Sequence, residues 1–500
     1  MGILFSLTPG LCPVFLLLLL LTSPAQAQDY AWTPGLQRAY ADLIRLKVEP
    51  ARQTLSAEAG HTGLRIYLDD YADMLTLLVS DDDRALARLA DREDSRLAQL
   101  DKLDDRSPYH RFVKAEVRLH WAFVKLKFGK EVSACWDIIR AYRLLAENRK
   151  LFPQFLPTYK SLGALHVMIG SVPDNYTWVT NLLGLRGNVR QGLQEISRAQ
   201  QDPLFRTEAQ LIDVLIRAYV TRFTNADDVR LTQLVRDHPD NLLIHFFAAT
   251  TRMKNGQSEE ALTLLLHRPG GPAYLPIPVT DNLLGDIYLQ KGQFSRALTA
   301  YGQFLATYKG QNFLKDSYYK QFLCYWLLGD EARSRPLLQR VLTVGRATVE
   351  SDKAAQKFAE TYTRTALSPG QKVLMRARLA SDGGYLDSAL AVLRPFTEAS
   401  FSENSQKAEY TYRMGRIQQR RNEPAAAIPY FERTITLADG SREPLSFGAS
   451  AALQLGYIYQ QQRNVAQAKR YFTKALSYKK HEYKNSVDNK ARAALNELGA

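Results

Sequence analysis

The segment LQLGYIYQQQRNVAQAKRYFTKAL, Leu453 to Leu476, decides the fold. Its apolar residues recur three and four positions apart on either side of a short polar break, which is typical of two amphipathic helices joined by a turn. Gly456 is followed twelve positions later by Ala468 and four positions further by Phe472. Antiparallel helices pack closely where the facing side chains are small. We therefore expect Gly456 and Ala468 at a helix crossing, with Phe472 filling the layer to the neighbouring unit.

The same frame, a small residue followed by Ala and then by a large apolar residue, occurs seven times in the chain. Its small residues and alanines are Ala39 and Ala51, Ala122 and Ala134, Ala249 and Ala261, Gly285 and Ala297, Ala377 and Ala389, Gly415 and Ala427, and Gly456 and Ala468. Gly129, Gly256, Gly292 and Gly384 lie seven positions after the first small residue, and Asn422 does so in a fifth frame. Gly and Asn tolerate the left-handed conformation that ends a helix. Strand signals are nearly absent, so we predict an all-α fold, an α-α superhelix (solenoid) of stacked helix-turn-helix units.

These units resemble the tetratricopeptide repeat. Within the segment quoted first, the residues on consensus positions of that family are Leu455, Gly456, Tyr459, Ala468, Phe472 and Ala475. LLGDIYLQKGQFSRALTAYGQFL, Leu283 to Leu305, matches similarly. The chain departs from the family in lacking the usual Trp at the start of the first helix. The resemblance implies a scaffold that binds a protein or peptide on the concave face of the superhelix, and the chain is similar to exported bacterial proteins of this family whose role is not established.

The N-terminus has the pattern of an export signal. The apolar run Val14–Leu21 is too short to span a bilayer, and Ala25-Gln26-Ala27 is a small-x-small cleavage pattern. We predict a signal peptide at 1–27 and a soluble periplasmic or extracellular protein that begins at Gln28 and has no membrane span. The remaining chain is divided into degenerate helical repeats at 28–160, an irregular Gly-rich helical insert at 161–200, degenerate repeats at 201–277, and a tetratricopeptide repeat array with a C-terminal cap helix at 278–500.

The insert allows two interpretations. Gly163, Gly170, Gly184, Gly187 and Gly192 are too dense for a regular repeat. The segment is either a pair of short apolar helices packed across the inner face of the superhelix, or a binding insert that exposes two aromatic side chains, Tyr176 and Trp178.

No recognised catalytic, nucleotide-binding or metal-binding motif occurs in the sequence. Glu116 and His120 are four positions apart on one predicted helix and could seed a metal site or an acid–base pair, but they lack a defined third ligand, which favours an ordinary helix pair. The run Asp81–Asp83 is interpreted as a helix N-cap. We therefore expect no enzyme activity, no cofactor and no metal.

Two cysteines remain after signal cleavage. Cys135 and Cys324 both lie in apolar stretches, which favours two buried thiols over a disulfide between them.

The net charge of +14 permits an acidic partner. Acidic residues are interleaved nearly everywhere, which disfavours nucleic acid. We predict a non-catalytic protein–protein interaction scaffold of the bacterial cell envelope; the alternative is a hydrolase or carrier that uses the 161–200 insert. The candidate groove faces the inside of the C-terminal units, and its residues are Tyr412, Arg416, Gln419, Arg420, Leu453, Tyr457, Gln460 and Gln461. Guanidinium groups, amides and rings suit an extended acidic segment. The same side chains could instead only solvate the inner face, or the final helix could cover them.

Overall fold

The computed structural model describes residues 29–499 apart from positions 59, 61, 173–182, 222, 366, 443 and 482. The described residues form α-helices joined mostly by short turns, and no strand occurs among them. The predicted all-α helical repeat fold is confirmed. The predicted signal peptide at 1–27 lies outside the described residues, as do Tyr176 and Trp178.

The helices follow one another along the chain. The first part contains α1 (Pro34–Ile44), α2 (Val48–Ala57), α3 (Gly63–Ser80), α4 (Asp83–Leu89), α5 (Arg92–Leu100), α6 (Pro108–Lys127), α7 (Glu131–Leu151), α8 (Pro157–Gly170), α9 (Val189–Ala199), α10 (Arg206–Tyr219) and α11 (Asn225–Asp237). The second part contains α12 (Leu242–Lys254), α13 (Ser258–Leu266), α14 (Val279–Gln290), α15 (Phe294–Thr307), α16 (Leu314–Leu328), α17 (Glu331–Thr343), α18 (Glu350–Tyr362), α19 (Pro369–Asp382), α20 (Leu386–Leu393), α21 (Asn404–Arg420), α22 (Pro424–Asp439), α23 (Ser446–Gln461), α24 (Val465–Ser477) and α25 (Lys484–Glu497).

Several helices begin at a Ser-Pro or Thr-Pro pair. Thr33, Ser107 and Ser368 precede α1, α6 and α19, and each hydroxyl oxygen accepts a hydrogen bond from a backbone N–H of the first turn. A backbone N–H in the first turn of a helix has no partner within the helix, so the following Pro, which lacks this group, loses no hydrogen bond there. Its fixed φ is also already helical. These local signals fix where the helices start.

Among the described residues, eight helical hairpins share one turn geometry. They are α1/α2, α6/α7, α12/α13, α14/α15, α16/α17, α19/α20, α21/α22 and α23/α24. The residue at the turn has a positive φ in every one: Leu46, Gly129, Gly256, Gly292, Gly329, Gly384, Asn422 and Arg463. The left-handed residue reverses the chain after the first helix, so that the second packs back against it.

The small residues of the seven sequence frames are all buried. Where the first helix has Gly, the large residue of the second helix is aromatic and lies directly over it. A Cβ atom on Gly456 would be 2.4 Å from the Phe472 ring, and one on Gly415 would be 2.8 Å from the Phe431 ring. The large residue therefore packs within its own hairpin. The prediction that it fills the layer to the neighbouring unit is wrong for these hairpins.

Contacts between distant parts of the chain hold the array together. Asp81, at the end of α3, is fully buried, and its carboxylate accepts hydrogen bonds from the Tyr308 hydroxyl, from the Gln311 and Asn312 backbone N–H groups, and from the Asn312 side-chain amide. The Leu275 N–H donates to the Leu46 carbonyl at 2.7 Å. The N-terminal helices are thus fixed to the loop before α14 and to the loop before α16.

Apolar packing is continuous in the N-terminal part, where one core includes residues of α1–α8. Further along the chain, smaller clusters lie within and between successive hairpins, as expected of a repeat array. None of the described helices combines the length and the apolar character that crossing a membrane requires.

Candidate functional site: the inner face of α21 and α23

The predicted groove residues divide into packing residues and polar residues. Leu453 is 4% exposed and lies in the apolar cluster between α23 and α25. The Tyr412 ring packs against Phe431 and Phe447, with ring centroids 6.0 and 5.4 Å apart. The Tyr457 ring meets Phe472 edge-on at 5.3 Å. These three side chains therefore pack beneath the polar residues of the predicted groove.

Arg416 lies at the centre of the polar set. One Nη atom of its guanidinium donates to the side-chain oxygens of Gln419 at 2.6 Å and of Gln454 at 2.7 Å. Sequence reasoning missed Gln454; its position two residues before Gly456, on the same helix, is the signal that could have found it. The two amides orient the guanidinium without neutralising its charge.

Arg420 lies one helical turn from Arg416. Its guanidinium donates to the Ser381 carbonyl, and to the Gly256 carbonyl at 3.3 Å, so it joins α21 to the turn of α12/α13 and to the end of α19. Burial and then the neighbouring positive charge of Arg416 lower the pKa of Arg420 below its usual value. In the described part of the chain neither guanidinium has an ion-pair partner, whereas nearby Arg413 pairs with Glu409. α21 therefore carries two arginines without a direct ion pair among the described residues, although the negative charge of Asp382 acts on Arg420 and opposes the lowering of its pKa.

Gln460 and Gln461 lie at the end of α23. The Gln460 amide donates to the Glu497 carboxylate of α25 at 3.3 Å, and Gln461 is exposed. The final helix thus touches one end of the predicted groove.

A cleft of about 970 Å³ opens beyond Glu497, between α25 and the irregular segment. Its lining combines two apolar side chains, Val189 and Leu193, with polar ones, namely Asn188, Arg190, Gln194, Ser197, Arg217, Asn496 and Glu497. The irregular segment and the C-terminal units, far apart in sequence, therefore border one cleft.

The glycines of the irregular segment permit close backbone packing. α8 and α9 are antiparallel, and a Cβ atom on Gly192 would be 2.4 Å from the Gly163 carbonyl oxygen. A Cβ atom on Gly187 would likewise be 2.3 Å from the Gly170 nitrogen. The described part of the segment is a helical pair stacked between α7 and α10.

Glu116 and His120 are both buried but do not contact each other. Glu116 pairs with Lys160, the two charged atoms lying 2.6 Å apart, and His120 contacts the Asp70 carboxylate at 2.8 Å. Lys160 is only 1% exposed and also pairs with Glu208 at 3.0 Å. These pairs join α3, α6, α8 and α10 inside the N-terminal core. Nowhere in the described ranges do three or more His, Cys, Asp or Glu side chains form a group that could hold a metal ion.

The acidic run before α4 has two roles. Asp82 is the N-cap of α4, and its carboxylate accepts from the Arg84 N–H at 2.8 Å. The preceding Asp81 instead forms the buried contact with residues 308–312, which the sequence did not indicate. The interpretation as an N-cap is confirmed for Asp82.

The prediction of two buried thiols is correct for Cys324 and wrong for Cys135. Both thiols are free; Cys324 is buried and Cys135 is exposed. Cys135 follows Ala134, which occupies the crossing with α6, so the next side chain points about 100° around the helix, away from that contact.

The comparison with protein-family models agrees with the repeat geometry of the C-terminal units. The model of the tetratricopeptide repeat family matches residues 449–482. No curated protein matches the sequence. The solved TPR domain of P58(IPK) is 14% identical, with 86% of this chain and 98% of that chain covered and a TM-score of 0.21. The APC/C hetero-tetramer Cut9-Hcn1 is 12% identical over 93% of this chain and 97% of that chain, with a TM-score of 0.23. The matched segment spans most of α23 and all of α24, so these residues form a tetratricopeptide repeat, and the other hairpins named above share its turn geometry.

Proposed function

We propose that this protein is a non-catalytic scaffold that binds an extended acidic segment of another protein along the inner face of α21 and α23. The observation that carries the proposal is the pair of guanidinium groups at Arg416 and Arg420, neither of which forms an ion pair with a described carboxylate. A half-buried cation without a counter-ion favours a ligand that supplies one.

The two arginines have different roles in this proposal. Among the described residues Arg416 is hydrogen-bonded to side-chain amides, which can exchange their bonds for those of a ligand carboxylate. Arg420 is held by backbone carbonyls of its own chain, so it contributes charge and rigidity. Gln419 and Gln461 supply further amide groups for a peptide backbone. Gln460, bound to Glu497, marks the point where a bound segment would meet α25.

Fluorescence anisotropy with short labelled peptides tests the proposal. A peptide of alternating Glu and Leu should bind, and the matching Lys and Leu peptide should not. Arg416→Glu should weaken binding of the acidic peptide by about tenfold or more, because a charge-assisted contact becomes a repulsion. Arg420 is left intact because it also holds the array together.

The control replaces charges elsewhere on the C-terminal units. Lys479 and Lys480 are exposed beyond α24, and Lys479→Glu with Lys480→Glu should leave binding unchanged. If this pair abolishes binding while Arg416→Glu does not, the partner binds the outer basic surface. If the acidic peptide binds no better than the basic one, the proposed partner chemistry is wrong.

We further propose that the scaffold acts in the bacterial cell envelope after export. The apolar run Val14–Leu21 and the sequence Ala25-Gln26-Ala27 support this proposal. Expression in a bacterial host, fractionation and N-terminal mass spectrometry should give a mature chain that starts at Gln28. A protein that retains residues 16–21 would contradict cleavage at this position.

A further inference from the structure

The first two turns of α7 carry an exposed apolar face. Val132 is 76% exposed and Trp136, four positions later and therefore on the same side of the helix, is 53% exposed. Within the described part of the chain the Trp136 ring packs against no other aromatic ring. Val132 and Trp136 together form a small exposed apolar patch on the surface of α7.

Basic residues flank this face. Lys130 precedes it, and Arg140 and Arg143 continue along the same side of α7; all three are exposed. Arg140 has one distant ion-pair partner, Asp137 at 3.9 Å. The acidic residues nearby are Glu131, Asp137, whose carboxylate pairs with Lys125 at 2.6 Å, and Glu147, whose carboxylate accepts a hydrogen bond from Arg111 at 2.9 Å. The exposed face of α7 therefore has an apolar end at Val132 and Trp136 and basic side chains around it.

We propose that Val132 and Trp136 dock this protein on an anionic lipid surface. Two apolar side chains are too few for the core of a stable protein interface, which buries about 800 Å² on each partner. They suit shallow insertion at the level of the lipid headgroups, where Trp is enriched. Lys130, Arg140 and Arg143 would then lie opposite the headgroup phosphates. Docking of this kind needs no membrane-spanning helix and involves none of the residues on the inner face of α21 and α23.

Vesicle co-sedimentation of the mature chain tests the proposal. The protein should sediment with vesicles of phosphatidylglycerol and phosphatidylcholine in equal parts, and much less with pure phosphatidylcholine. Its tryptophan emission should shift to the blue on the anionic vesicles. Trp136→Ala should lower the bound fraction severalfold and remove the shift, and Arg140→Glu with Arg143→Glu should remove the preference for anionic lipid.

The controls separate this face from other surfaces. Leu328→Ala alters another half-exposed apolar residue, on α16, and should bind vesicles like the wild type. Circular dichroism should show unchanged helix content in every variant. The proposal is overturned if wild type binds neither vesicle, if Trp136→Ala binds like wild type, or if Lys479→Glu with Lys480→Glu abolishes binding. It is also overturned if Trp136→Ala loses a protein partner while vesicle binding stays the same.

Discussion

The contact of Gly456 with Phe472 allows a direct test of the hairpin geometry. In Gly456→Ala the new Cβ would lie 2.4 and 2.5 Å from two carbons of the Phe472 ring. The ring is fully buried and also packs against Tyr457, so it has little room to move. Overpacking costs about 1–3 kcal/mol, and the better helix propensity of Ala returns about 1 kcal/mol. We expect a net loss of about 1 kcal/mol.

A second substitution should restore the packing. Phe472→Leu alone leaves a cavity and destabilises the protein. The double variant Gly456→Ala with Phe472→Leu recreates the combination found in the hairpins that have Ala and Leu at these positions, such as Ala249 and Leu265. It should be more stable than the sum of the single effects by at least about 1 kcal/mol.

Gly302 provides the matched control. It lies inside α15, and a Cβ atom there would have no neighbour within 4 Å. Gly302→Ala should therefore stabilise the protein by about 0.5–1 kcal/mol. Urea unfolding followed by circular dichroism gives the overall effect, and hydrogen exchange in α23 and α24 gives the local one, which matters because repeat arrays need not unfold in two states. If Gly456→Ala stabilises as much as Gly302→Ala, the proposed close packing is refuted.

Three further predictions concern a turn residue, a buried hydrogen-bond acceptor and a buried carboxyl group. Arg463→Gly should raise the free energy of unfolding by up to about 1 kcal/mol, because Arg463 has a φ of 59° that Gly adopts without strain, while Gln462→Gly should lower it. Asp81→Ala should lower the free energy of unfolding by about 3 kcal/mol or more, because several buried donors lose their acceptor. Tyr308→Phe removes only one of these hydrogen bonds and should lower it by about 1 kcal/mol. Urea unfolding measures both effects. Burial raises the pKa of Asp352 to about 6, so the folded chain binds this proton more tightly than the unfolded chain. The wild type should therefore gain stability relative to Asp352→Asn as the pH falls from 7 to about 4. A difference in unfolding free energy between the two proteins that stays constant across that range would contradict the pKa shift.

Much of the repeat architecture could be predicted from sequence because its signal is periodic. A tight crossing demands a small side chain, and small side chains at a spacing of twelve residues are visible without a structure. The hairpin α16/α17 does not show this pattern. Phe322 occupies the position of the first small residue, and Ser334 occupies the position of the Ala twelve residues later. This hairpin pairs a large side chain on its first helix with a small one on its second, whereas the other frames have a small residue on both helices.

Other features have no local signature. Leu46 and Arg463 take the left-handed turn position that Gly or Asn holds elsewhere, since tertiary packing can impose that conformation on other residues. The contact of Asp81 with residues 308–312 joins positions about 230 apart in the chain. Likewise, the Arg420 bond to the Gly256 carbonyl depends on how the hairpins stack. Such contacts arise from the superhelix as a whole, so no pattern within one repeat predicts them.

Hydrogen exchange of the mature chain with and without a bound acidic peptide shows directly whether α21 and α23 form the binding surface. If the peptide lies on the inner face, binding should slow exchange in α21 and α23, and Arg416→Glu should remove that protection at the same peptide concentration. Slowed exchange confined to the outer surface around Lys479 and Lys480, with α21 and α23 unchanged, would contradict the account.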